Sequence, residues 1–134
     1  MRHLNKRATA IFNRIIDNHL KDADAVKIDN SSFMALCVDR LCSDVDFSGL
    51  KGDIFAFAHY YEQNGDLIPD PDMTFLRLQN GFIFPLTYQD YRVYNEAIYL
   101  RAGNWKHSSK VLNDLVNFSN KWPNNIYYQQ KLNK

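Results

Sequence analysis

Apolar residues near the start of the chain recur at steps of three and four: Leu4, Ala8, Ile11, Phe12, Ile15, Ile16 and Leu20. That period predicts an amphipathic helix over residues 3–21, with Lys6, Asn13, Asp17 and Lys21 on its other face. Asp22-Ala23-Asp24 ends it, and the period then drops to two. Ala25 to Asp29 and Phe33 to Leu41 read as strands around Asn30-Ser31-Ser32. In the second, Met34, Leu36 and Val38 take one face and Phe33, Ala35 and Cys37 the other, so both faces are apolar and a central or covered strand is expected. Ser43 to Gly52, with Asp44 and Asp46, reads as a loop. Further strands are predicted at Asp53 to Tyr61, Asp66 to Leu78, Phe82 to Tyr88 and Arg92 to Leu100, punctuated by Asn64-Gly65, Asn80-Gly81 and Gln89-Asp90-Tyr91. Pro85 pushes the strand that holds it toward an edge or a bulge, and an exposed edge there could pair with a second copy of the chain to make a homodimer. Gly103-Asn104 breaks the series. Ser108 or Ser109 then caps a second helix carrying Val111, Leu112, Leu115, Val116, Ser119 and Trp122 on one side, with Phe118 at its margin. Pro123 is expected to end that helix and leave residues 124–134 as a polar tail in which Ile126, Tyr127 and Tyr128 form a last turn.

Consecutive strands joined by short turns imply an antiparallel meander. The fold class is therefore α+β: five or six strands across residues 25–100, with the N-terminal helix (1–22) and the C-terminal helix (108–122) packed on one face. A length of 134 residues makes a single domain, 1–134, the expectation, and it is long enough to bury a core without staples. Cys37 and Cys42 lie five apart on one strand, point to opposite faces, and are expected to stay free thiols.

Asn64-Gly65 is the sharpest turn signal, because a type I′ turn needs positive φ at both central residues. A two-residue loop there sets Gln63 opposite Asp66, and counting back sets His59 opposite Asp70 and Phe57 opposite Asp72. Residues directly opposite share a face. His59, Tyr61, Asp70 and Asp72 are thus expected on one side of the hairpin, with Glu62, Asn64 and Asp66 at its tip. An imidazole beside a carboxylate is held in one tautomer with its pKa raised. Pro69 and Pro71 cannot donate to a ladder, so this segment must be an edge, a bulge or a crossing loop.

Charge sharpens the picture. Residues 1–21 carry a net +4, residues 22–72 a net −8 and residues 73–134 a net +5. An acidic middle is a poor docking face for nucleic acid and a good one for a basic partner. Eight tyrosines are present, and Tyr60 or Tyr61, Tyr88, Tyr91, Tyr94 and Tyr99 are expected on the sheet face away from the helices, where an amphipathic ring suits contact. No P-loop, nucleophile elbow or dinucleotide glycine pattern occurs. No catalytic residue, cofactor or metal is assigned. No apolar run reaches the roughly 18 residues of a membrane span, and no signal-peptide core follows Met1, so a cytoplasmic protein without membrane association is expected.

The run His59-Tyr60-Tyr61-Glu62-Gln63-Asn64-Gly65-Asp66-Leu67, followed by Asp70-Pro71-Asp72-Met73-Thr74-Phe75, resembles the signature of a family of small uncharacterised proteins. These are carried on plasmids, phages and integrative conjugative elements of low-GC bacteria. Phe84 to Asp90 and Phe118 to Trp122 resemble it too, so the likeness spans about residues 25–125. It implies a setting, a mobile genetic element, and no mechanism.

Three function classes follow. The leading one is a non-enzymatic protein-binding accessory protein, in its specific form an anti-defence inhibitor of the anti-CRISPR type, engaging a host or mobile-element protein such as a nuclease complex. Its binding residues are His59, Tyr61, Glu62, Asn64, Asp66, Asp70, Asp72, Tyr88 and Tyr94. The second is a metal-dependent enzyme centred on His59, Glu62, Asp66 and Asp70. The third is a DNA-binding accessory factor using Arg2, Lys6, Arg7 and Arg14 of the first helix.

Overall fold

A computed structural model describes residues 1–30 and 33–129. The turn expected at Ser31-Ser32, the tail beyond residue 129 and the side chains of Tyr127 and Tyr128 lie outside what is described. Helix α1 (Lys6–His19) opens on Asn5, whose side chain accepts the Ala8 N–H at 2.9 Å and so occupies one of the four unpaired donors of the first turn. It buries Ala8, Ile11, Phe12, Ile15 and Ile16, the stripe its sequence announces. Six strands follow: β1 (Ala25–Asn30), β2 (Phe33–Phe47), β3 (Leu50–Gln63), β4 (Asp66–Leu78), β5 (Ile83–Gln89) and β6 (Tyr94–Glu96). They lie side by side in chain order, all antiparallel. A separate hairpin, β7 (Ile98–Arg101) with β8 (Asn104–His107), precedes helix α2 (Ser109–Gln129). The α+β meander expected from the periodicity is what forms.

Three boundaries differ from expectation. Ser43 to Gly52 is strand rather than loop: β2 and β3 continue through it to a tight turn at Ser48-Gly49, both at positive φ. Two irregularities, between Arg40 and Cys42 and between Cys42 and Val45, break the alternation there and hide the strand from a period-two reading. Arg92 to Leu100 is not one strand. Ala97 divides it: its N–H bonds Leu86 O, its C=O accepts the Ser108 N–H, and the chain leaves the sheet to form β7–β8. Pro123 does not end α2, which runs six residues further to Gln129.

Both helices lie over one face of the sheet. Phe12 packs edge-on against Phe57 at 4.7 Å and beside Phe75 at 4.7 Å, Ser119 reaches Met73, and Arg77 bonds Asn13 and Asp17. The helices are tied to each other by an asparagine row on α2. Asn113 and Asn117 accept from Arg2, Asn120 accepts the Asn5 backbone N–H, and Asn124 accepts from Arg7. Spacings of four, three and four keep the four amides on one stripe. The hairpin β7–β8 covers one end of the second face, where Trp105 meets Phe47 edge-on at 5.1 Å and donates its indole N–H to Asp46 O. The outer side of β5, expected as a free edge at Phe82 to Tyr88, is occupied: Leu4 N–H bonds Ile83 O, Ala97 N–H bonds Leu86 O, and β6 pairs with Thr87 to Gln89. No helix is long and apolar enough to cross a membrane among the described residues.

Candidate functional site

The turn at Asn64-Gly65 forms as expected, with φ of 53° and 85°, and sets Gln63 opposite Asp66. The pairing keeps that register to Tyr60↔Pro69 and then slips by one, so that Ala58, not Phe57, stands opposite Asp72. Phe57 faces Met73 instead. The slip falls at the Asp70-Pro71 step, where proline has no N–H to give to the ladder. One residue of slip sends a side chain to the other face of a sheet. Asp72 therefore leaves the His59 side.

The expected site residues consequently divide. His59 points into the helix-covered face, only 3% exposed, with its ring edge-on to Trp122 at 5.6 Å. Burial lowers its pKa, and the smaller pull of Asp70 toward a higher value does not overcome that; the expected rise is reversed. Tyr61 is half-buried two residues further along the same face. Tyr88 also lies on the covered side, edge-on to Phe118 at 5.5 Å, with its hydroxyl donated to Asp90. Burial, reinforced by Asp90, pushes the Tyr88 hydroxyl up to about 12. Glu62, Asn64, Asp66 and exposed Asp70 line the outer part of the hairpin, beyond the last β2 and β5 pairings at Leu36↔His59 and Asp72↔Gln89. Asp72 and Tyr94 lie on the uncovered face. No group of three or more His, Cys, Asp or Glu able to hold a metal forms among the described residues, so His59, Glu62, Asp66 and Asp70 do not converge as a ligand set.

What the fold does assemble is a pair of rows on the uncovered face. One runs Lys27, Cys37, Ala58, Asp72, Gln89, Tyr94 through direct cross-strand partners. The next runs Ala25, Asp39, Ala56, Thr74, Thr87, Glu96. Both alanines are buried among their neighbours. Thr74 and Thr87 share a hydrogen bond at 2.6 Å, and Tyr60 donates its hydroxyl to Asp72 at 3.1 Å. Burial raises the Asp72 pKa, the Tyr60 bond lowers it, and nearby Asp39 raises it again. Tyr60 is pushed up to about 12 by its own burial and then by Asp72. Cys37 is raised first by burial and then by Asp39, with Lys27 pulling the other way. Tyr94, 57% exposed, is raised by burial and by Glu96. The two rows carry Asp39, Asp72 and Glu96 against Lys27, and hydrogen bonds orient Asp72, Tyr60, Thr74 and Thr87.

Asp39, Thr74, Thr87 and Glu96 were absent from the sequence-based set. Asp39 was within reach of it, since it continues the Cys37 alternation. Glu96 was within reach too, since it continues the Tyr94 alternation, whereas the place of Thr74 and its partner Thr87 depends on the slip at Asp70-Pro71, which spacing does not reveal.

No curated protein and no solved structure matches the chain. The model of one family, a domain of unknown function designated DUF6908, matches residues 7–132, from the second residue of α1 to past the end of α2, and so takes in both rows, the hairpin and the four asparagines of α2; the chain belongs to that family.

Proposed function

We propose that the protein is a binding module whose uncovered sheet face receives a basic surface of a protein partner. The observation that carries this reading is the layered charge. Residues 22–108, which make up all the strands, hold thirteen Asp and Glu against seven Lys and Arg, while the helical segments on either side are net basic. The acidic residues of the two rows, Asp39, Asp72 and Glu96, meet one lysine, Lys27, and Asp29 follows Lys27 on β1. Opposite charge on a partner steers encounter and fixes orientation, and Tyr60 and Tyr94 supply rings that bury area while keeping a polar tip. Binding residues on this reading are Asp39, Tyr60, Asp72, Tyr94 and Glu96, with Glu62, Asp66 and Asp70 of the hairpin extending the same negative field.

In its finer form the protein is an accessory factor of a mobile genetic element acting in the cytoplasm, and its acidic face occupies a basic nucleic-acid channel of a defence nuclease, in the manner of an anti-CRISPR protein. Support comes from the sign of the face and from the resemblance of the central hairpin to that family signature. The test is affinity capture from the host with wild type and D39K/E96K in parallel. The expected partner has a basic channel, elutes as salt rises toward about 1 M, where screening acts over only about 3 Å, and is lost by the charge reversal. A partner retained equally by both proteins overturns the reading.

A further inference from the structure

His59 combines burial with an unmet polar atom. Among the described residues, its Nε2 is the buried side-chain nitrogen or oxygen that lacks a hydrogen-bond partner. Leu36, fully buried, stands opposite on β2, and the Trp122 indole closes the ring from α2. Helix α1 meets the same seam through Phe12, whose ring packs on Phe57 and on Trp122. From β4 the one charged group acting on the ring is Asp70; Asp72 and Tyr60 belong to the opposite face, and residues 122–126 of α2 carry no charge. A second ring proton would therefore put a positive charge in an apolar seam with no acceptor for its N–H. One residue past Trp122 lies Pro123, inside the helix. Proline cannot supply the N–H that would bond to Ser119 C=O, so α2 is weakest beside the histidine contact. Beyond that point the helix is held by tertiary anchors: Ile126, fully buried, and the Arg7–Asn124 bond at 2.6 Å.

We propose that His59 is an acid-sensitive latch: protonation of its ring breaks the seam with Trp122, and α2 opens at Pro123 to bare Leu36 and the base of the β3–β4 hairpin. A free histidine titrates near 6.5. Burial places the closed-state value lower, so the closed form is fully favoured above the ordinary value and loses ground as pH falls through it toward the closed-state one. Within that window the opening constant rises by up to about tenfold per pH unit.

The experiment is hydrogen exchange on the full chain at about pH 7.5 and about pH 5, corrected for intrinsic rates, with wild type and H59F, alongside an NMR titration of the wild-type His59 imidazole. The expected result is protection lost in acid at residues 122–126 in excess of the sheet, no such loss in H59F, and an imidazole titrating below the ordinary value. Equal protection of residues 122–126 at both pH values overturns the proposal. So does the same acid loss in H59F, or an imidazole titrating at or above the ordinary value. If H59F folds poorly, the wild-type exchange profile and imidazole titration decide by themselves.

Discussion

At the scale of single residues, the tightest constraint is Gly52 on β3. A Cβ placed there would lie 2.8 Å from Arg77 O and 2.9 Å from a Leu76 methyl. Backbone cannot yield as a flexible side chain can, so G52A is expected to push β3 and β4 apart where Gly52 pairs with Leu78. Overpacking of this kind costs about 1–3 kcal/mol, readable as a lower urea midpoint at unchanged slope. Nothing in the sequence around Gly52 marks it, because the demand comes from a neighbouring strand. His59 teaches the same thing in reverse. Its spacing from Asp70 and Asp72 was legible, and its neighbours Trp122 and Leu36 were not, since they come from far along the chain. A side chain's chemistry is set by what packs on it, and a histidine expected beside a carboxylate with its pKa raised instead has it lowered by burial in an apolar seam.

At the scale of elements, the strands that the sequence exposes most plainly are those that start from a two-residue turn. Gln63↔Asp66 follows directly from Asn64-Gly65, and the apolar stripe of α1 survives intact into the core. The structure departs from the periodicity where irregularity interrupts it: the bulged end of β2, the division at Ala97, and Pro123, which tertiary contacts keep helical. The asparagine row of α2 shows a third kind of gap. Asn113, Asn117, Asn120 and Asn124 sit at the spacing of an interface, but polar residues at that spacing look like a solvated face until Arg2, Asn5 and Arg7 are found against them. Asn120 matters most, because its partner is a backbone N–H just ahead of α1. N120A leaves that donor without its acceptor and is expected to cost about 1 kcal/mol. Exchange at the Asn5 amide should rise, and the sheet amides should keep their protection.

At the scale of the whole molecule, the sheet separates two environments. Helices and apolar side chains fill one side, and the other, beside the end that β7–β8 covers, gathers Asp29, Asp39, Asp72 and Glu96 from four of the six strands. Gathering like charges on one face is costly, and here the cost is visible in Asp72, whose pKa is raised by burial, lowered by the Tyr60 bond and raised again by Asp39 from across β3. A carboxyl whose folded pKa lies above its unfolded value holds its proton more tightly in the folded state. Its ionisation therefore subtracts stability as pH rises from the ordinary carboxylate range through the folded value, and the loss persists at neutral pH. Removing the Asp39 charge should lessen that loss. D39N is expected to lower the Asp72 pKa, followed by carboxyl-carbon NMR, and to raise the melting temperature at neutral pH while changing it less in acid, where Asp72 holds its proton. An equal gain at both pH values would assign the effect to packing instead. The same substitution should weaken capture of a basic partner. Stability and binding moving in opposite directions on one change is what a face kept charged for an incoming cationic surface requires, and a face that is merely solvated would give the first effect without the second.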